Sequence, residues 1–287
     1  MTDKTHPTYP VFVMCGRDLK RRKLMEAVDP EGKYKTKALL PFLGKRLVDW
    51  QLEALRQSPH VEALYLLGLS EEDAKFDYPV NYVPCETVSD FGDKLLRGLD
   101  YLEEGGNDSD MIIISSCDAP AIRVEEINQF FKAIEENSGK EVYISLVTEE
   151  VGEAVFPKSG RVVARFSDYE VFPGELMALS PRAIRMQKQV IDELGLQRRK
   201  INREKNKISL GPMLSYLAKR PGIWPLLLKF VLGRATLADG ERVLSRTFGS
   251  EIKGIVIPDA GFGMDMDLPG DYKRLEAYVK KIKLGEE

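Results

Sequence analysis

Residues 111–118, Met-Ile-Ile-Ile-Ser-Ser-Cys-Asp, constrain the fold of this chain more than any other stretch. The apolar run presents no polar face, which predicts a strand buried on both sides, as in the parallel sheets of α/β proteins. It ends in Asp118-Ala-Pro120, so a carboxylate is expected at the C-terminal end of that strand. The flanking segments alternate. Val11–Cys15 is predicted as a short strand closed by Gly16, and Lys37–Val48 as a strand and turn. Val48–Gln57 has helical spacing, with Val48, Leu52 and Leu55 on one face. Val61–Leu69 and Asn81–Pro84 read as strands, Asp90–Leu102 and Glu125–Glu136 as helices, and Val142–Thr148 as a further strand. Such alternation implies an α/β fold, a mostly parallel sheet with helices on both faces. Ligands of such sheets gather outside the carboxyl ends of the strands. Gly16 and Asp118 both fall on that edge.

After residue 150 the rhythm changes. Arg161–Phe166 is predicted as a strand, Pro181–Leu194 as a helix, 210–249 as short helices, Ile252–Ile257 as a strand and Gly270–Lys283 as a closing helix. The expectation is one domain over 1–287, with 180–250 a helical insertion or lid. That insertion carries a basic run (Arg198, Arg199, Lys200, Arg203, Lys205, Lys207) and an apolar run from Ile223 to Leu232. Three readings apply: a solvated loop with a small satellite core, a lid over an anionic acceptor, or contact with a membrane surface.

Composition removes several classes of chemistry. The three cysteines, Cys15, Cys85 and Cys117, lie far apart, and the only histidines are His6 and His60. A disulfide framework, a thiolate zinc site and a histidine-based triad are therefore not expected. A metal would have to be held by carboxylates, which favours a hard ion such as magnesium. The formal net charge of -3 gives no whole-molecule attraction to nucleic acid. The apolar run 223–232 is broken by Pro225 and Lys229 and falls short of the roughly 20 residues of a membrane span. No transmembrane segment or signal peptide is expected, and the cytoplasm is the default location.

Four features could carry chemistry. Gly16 and the basic loop after it, beginning at Arg17, could receive phosphates, although neither GxxxxGK[ST] nor GxGxxG is present. A solvated surface loop is the plain alternative. Lys37 stands near that loop, or is simply solvated. Asp118 ends the buried strand, where it could instead cap the next helix. Asp265 and Asp267 point to one side if their segment is extended, with Asp271 as the cap of the last helix. Distant carboxylates converging at strand ends would make a magnesium site.

The order Val11-Phe-Val-Met-Cys-Gly16-Arg17, Lys37-Ala-Leu-Leu with Gly44-Lys45, Ile112-Ile-Ile with Asp118-Ala-Pro120, and Asp265-Met-Asp267-Leu-Pro269-Gly-Asp271 resembles the MobA-like nucleotidyltransferases. The resemblance implies a Rossmann-like fold of the GT-A type. It implies a nucleotide loop at Met14, Cys15, Gly16 and Arg17, a catalytic Lys37 assisted by Arg17, and metal positions at Asp118 and at Asp265 or Asp267. A looser match places base recognition around Thr87 and Ser89, and acceptor binding falls on Gly174 and Glu175. Cys15, Leu268 and Glu175 depart from the family's glycine, threonine and asparagine. The implied reaction is Mg2+-dependent transfer of a nucleoside monophosphate from an NTP (CTP or GTP favoured) to a small phosphorylated acceptor, releasing pyrophosphate. A homodimer is possible on this reading. The alternatives are a nucleotide-sugar glycosyltransferase of the same fold and a catalytically silent nucleotide-binding protein.

Overall fold

Alternation along the first strand decides where the helices lie. In the computed structural model, which describes residues 6–16, 23–85, 90–200 (without the side chains of 194–200) and 218–286, β1 spans Tyr9–Met14. Val11 and Val13 face one side of the sheet and Phe12 the other. On the first side they share a core with Val48, Leu52 and Leu55 of helix α2 (Leu47–Arg56) and with Ile127, Phe130 and Phe131 of α4 (Val124–Glu136). On the second, Phe12 meets Leu95, Leu99 and Leu102 of α3 (Phe91–Glu104) and Ile184 of α6 (Pro181–Lys200). α6 thus starts as part of the main helical layer, and Gly92 N–H of α3 donates to Asp192 at 2.7 Å.

The sheet is mixed but mostly parallel. With β4 (Val61–Leu67), β5 (Asn81–Val83), β6 (Ile112–Ser116), β7 (Val142–Thr148), β9 (Glu170–Leu179) and β10 (Ile252–Ile257), the order is β10-β7-β9-β6-β1-β4-β5. β1 runs parallel to β4 and β6, β4 to β5, and β7 to β10. β9 is the exception, antiparallel between β6 and β7. Pro173 and Gly174 are unfavourable residues for so central a strand. The ladder absorbs them with a register shift between Ile144 and Leu146, opposite Pro173. Ser145 repairs the gap: its hydroxyl donates to Leu176 O at 2.6 Å and accepts from Leu176 N–H at 3.3 Å.

Three local expectations are corrected. Lys37 lies on a 3-10 turn, Lys37–Leu39, not at the head of a strand. The strand shrinks to a hairpin of β2 (Pro41–Phe42) and β3 (Lys45–Arg46), turned at Leu43-Gly44, both with positive φ. Only Ala164–Arg165 of the predicted 161–166 strand pairs, as β8, with β9. Asp271 is not the cap residue of the last helix. It acts from the third position, accepting backbone N–H groups of Leu268 at 3.0 Å and Asp267 at 3.3 Å.

Two short helices, α1 (Lys23–Val28) and α5 (Glu149–Val155), flank this core. The described residues resume at 218 with a 3-10 turn (Pro221–Ile223), α7 (Trp224–Val231) and α8 (Leu237–Phe248), which leads into β10. α9 (Pro269–Lys283) closes the chain. Phe230 of α7 packs on Phe166 after β8, with ring centroids 4.9 Å apart. No helix among the described residues is long and apolar enough to cross a membrane.

Candidate active site

The loops leaving β1 and β4 touch through their backbones. Cys15 N–H donates to Leu67 O at 2.9 Å. Gly68 has φ +99°, and a Cβ there would lie 2.6 Å from Gly16 Cα, so both the conformation and the approach demand glycine. The Cys15 side chain turns into the core, where burial and the neighbouring Cys117 push its thiol well up. Cys15 therefore offers this edge only backbone. Lys94 of α3, not singled out in the sequence, reaches over the loop: a Cβ on Gly16 would lie 2.6 Å from its Nζ. Met14 ends β1 beside this loop. Arg17, Thr87 and Ser89 lie outside the described residues.

Thr36 aims Lys37. Its hydroxyl donates to Cys15 O at 2.9 Å and accepts Ala38 N–H at 3.1 Å, capping the 3-10 turn and tying it to the end of β1. The Lys37 ammonium then pairs with Asp118 and, at 2.7 Å, with Asp267. Asp118 does not cap a helix, since α4 starts at Val124 after Arg123. Instead its carbonyl accepts Met266 N–H at 2.9 Å, which joins the two acid-bearing segments. Met264 and Met266 are buried in a core with Leu40, Phe42 and Leu275. The extended alternation turns Asp265 and Asp267 the other way, as their spacing predicts. Sequence alone leaves open which of the two joins Asp118; both do, with carboxylate oxygens of all three within 4.8 Å of one another.

Arg161 completes the cluster. Its guanidinium meets Asp265 at 2.7 Å, and both side chains are buried. Nothing in the local sequence marks it, because the partner lies about a hundred residues further on. Two of its nitrogens, Nε and Nη2, are buried without a hydrogen-bond partner. Burial lowers the pKa of Arg161, but Asp265, Glu175 and Asp271 outweigh it, so the pKa is raised and the charge kept. Burial would likewise lower Lys37, yet Asp118, Asp267 and Asp265 hold it well above the ordinary lysine range. Asp118 is pushed up by burial and by its two acidic neighbours, against the pull of Lys37. Among the described residues, these three carboxylates thus face the cations Lys37 and Arg161.

Glu175 is buried on β9 within electrostatic reach of Arg161. Gly174 beside it has a packing reason to be glycine, since a Cβ would lie 2.5 Å from Ser145 Oγ and 3.1 Å from Phe262 Cβ. The two histidines lie elsewhere. His60 precedes β4 at the opposite edge of the sheet, its ring 5.1 Å from that of His6 and its Nδ1 3.5 Å from Glu135.

Residues 32–195 match the family described as the MobA-like NTP transferase domain. The match covers more than half of the chain and includes Lys37, Asp118, Arg161 and Glu175. Among solved structures, a hypothetical transferase from Thermus thermophilus aligns with TM-score 0.67 and 23% identity over 92% of this chain and 99% of its own. A CMP:2-keto-3-deoxy-manno-octonic acid synthetase complexed with CTP aligns with TM-score 0.54 and 14% identity, covering 96% of this chain and 99% of its own. The 4-diphosphocytidyl-2C-methyl-D-erythritol synthase of Anaerococcus prevotii aligns with TM-score 0.50 and 10% identity, over 96% and 99%. No curated protein matches the chain. At these identities the structures establish the fold, and the family match carries the rest: this chain belongs to the MobA-like NTP transferase domain family and is a nucleotidyltransferase.

Proposed function

We propose that the enzyme transfers a nucleoside monophosphate from CTP or GTP to the phosphate of a small phosphorylated acceptor, with magnesium, releasing pyrophosphate. The observation that carries this reading is the convergence of Asp118, Asp265 and Asp267 on Lys37 at the carboxyl edge of the sheet. The donors are all carboxylate oxygens, without sulfur or imidazole, which suits a hard divalent cation. Asp118, Asp265 and Asp267 are the residues that would hold it. Bound there, magnesium supplies charge neutralisation and a template for the triphosphate oxygens.

The chain's own groups account for the remaining needs. The phosphate of the acceptor is anionic near neutral pH, so attack on the α-phosphorus needs no general base, in keeping with histidines at the far edge. One acceptor oxygen bonds to the α-phosphorus while the bond to the bridging α–β oxygen breaks, and pyrophosphate departs with that electron pair. Lys37 stabilises the charge growing on the α-phosphate and the leaving group, and its carboxylate neighbours keep it protonated. The Cys15–Gly16 backbone and Lys94 form one wall for the phosphates, and Arg17 would add a further charge. Base recognition belongs to the segment of Thr87 and Ser89, and acceptor recognition to Gly174, Glu175 and Arg161. CTP is supported by the complex and name of the two synthases aligned above.

Calorimetric titration with each NTP, with and without magnesium, tests this reading. One NTP should bind preferentially and only weakly when the metal is chelated, and Asp118→Asn should lose the metal-dependent part. Binding of equal strength in chelator and in magnesium would reject it.

A further inference from the structure

Helix α7 is apolar on the side that faces solvent. Trp224, Leu228, Val231 and Leu232 are 63%, 61%, 85% and 57% exposed. Their spacing places them along one stripe of the helix. The inner side is apolar as well: Leu226 is buried, and Phe230 packs on Phe166. Lys229 is the one charged residue of α7, and clustered exposed apolar side chains mark interaction surfaces.

The charges nearby identify what covers it. Residues 218–249 carry six cations (Lys219, Arg220, Lys229, Arg234, Arg242, Arg246) and two acids, Asp239 and Glu241, in a chain with net charge -3. Both acids are already paired, Asp239 with Lys229 and Arg242, and Glu241 with Lys253. At the start of α7, Lys219 and Arg246 line a cavity of about 610 Å³, and no acidic residue is among the described residues of its wall. Thr247, in the same wall, has a buried hydroxyl without a hydrogen-bond partner. Two copies of this face would bring cations against cations. Nucleic acid would satisfy the cations but offers no apolar phase for the stripe. An anionic bilayer offers both, with phosphates at the level of the cations and an acyl boundary beneath them.

We propose that α7 seats this enzyme on an anionic lipid surface. Lys219 and Arg246 engage headgroup phosphates, while Trp224, Leu228, Val231 and Leu232 enter the interface. At 1.5 Å per residue the eight residues of α7 span roughly 12 Å, so the helix lies on the membrane rather than across it. The seat adjoins the active site: Phe166, on which α7 packs, is five residues from Arg161, at most about 18 Å of chain. This goes beyond the proposed reaction and stands whatever the acceptor.

Co-sedimentation of the full chain tests it. The probes are phosphatidylcholine vesicles with and without about one-third phosphatidylglycerol, at low and physiological salt. The enzyme should pellet with the anionic vesicles, not with phosphatidylcholine alone, and binding should weaken as salt rises. Of the two tryptophans, Trp50 is buried and Trp224 exposed, so anionic vesicles should shift the emission to the blue and Trp224→Phe should remove the shift. Replacing Leu228, Val231 and Leu232 together by Ser should lower vesicle affinity by at least ~10-fold. These side chains are exposed, and an unchanged Tm would show the fold intact. The proposal fails if the anionic vesicles do not pellet the enzyme at low salt, or if the triple Ser variant binds them undiminished. It also fails if the chain dimerises through this face, seen as a concentration-dependent dimer that the triple variant abolishes.

Discussion

At the carboxyl edge of the sheet, Asp118, Asp265 and Arg161 are charged groups held almost wholly out of water, whereas on α7 Trp224, Leu228 and Val231 are apolar groups left in it. Each region inverts the usual partition, and the inversions have different costs. Buried charge taxes folding directly and is tolerated only where opposite charges and hydrogen bonds compensate it. Among the described residues Lys37 faces Asp118 and Asp267, and Arg161 faces Asp265, so three like charges crowd together as in a site that receives a cation. Exposed apolar surface costs the fold of a monomer little, because those groups are equally wet in the unfolded chain. Its consequence is association. The edge should therefore respond to substitution in turnover and stability, and the helix in partition between phases.

The largest effects are expected in turnover at the edge. Asp118→Asn and Lys37→Ala should each lower the rate by at least ~100-fold, the scale of one lost transition-state charge contact. If the cluster were structural only, folded variants would keep their rate. Stability separates the members of the cluster by sign. Arg161→Met breaks the buried ion pair with Asp265 and should cost about 3–5 kcal/mol in urea unfolding. Asp267→Asn instead relieves the crowding of three like charges at the least buried of them. It should leave stability unchanged or raise it by about 1 kcal/mol while the magnesium response is lost. Equal destabilisation by both would break the charge assignment.

The loop that leads into Asp265 adds a titration. Glu126 accepts Gly261 N–H at 3.2 Å and pairs with Arg123, and burial pushes its carboxyl up from 4.5 to about 7. The folded state then holds this proton more tightly than the unfolded chain does. The contribution of Glu126 is complete below about pH 4.5 and is lost as pH rises through about 7. It amounts to about 3 kcal/mol, and Glu126→Gln should flatten the pH dependence of Tm across that window. The smallest effect is expected on α7. Leu228→Ser should change stability by no more than about 0.5 kcal/mol, against about 2–4 kcal/mol for Leu226→Ala on the buried side of the same helix. A large loss from Leu228→Ser would mean that the stripe is already covered within the monomer.

What could be read from the chain beforehand follows from the range of the interactions. The strand at 112–116, its terminal Asp118 and the helix faces of α2, α3 and α4 are written in local apolar patterns, and they stand where those patterns put them. The spacing of Asp265 and Asp267 showed that they share a side, since alternation is a local property. β9 was hidden because Pro173 and Gly174 contradict a central strand locally, and only pairing with β6 and β7 overrides them. Arg161 was hidden for a similar reason: its partner is brought to it by the fold alone. Lys37 was singled out, but on the wrong element. The turn that aims it depends on the Thr36 hydroxyl reaching a carbonyl at the end of β1.

Pyrophosphate release, followed for the wild type and Asp118→Asn side by side, tests the central claim most directly. Each NTP would be paired with a panel of phosphomonoesters, including sugar 1-phosphates and polyol phosphates, in magnesium and in chelator. The account predicts that at least one pair releases pyrophosphate only with magnesium, and that Asp118→Asn lowers this release by at least ~100-fold while remaining folded. Release at the wild-type rate from Asp118→Asn, or tight NTP binding with no release across the whole panel, would contradict it.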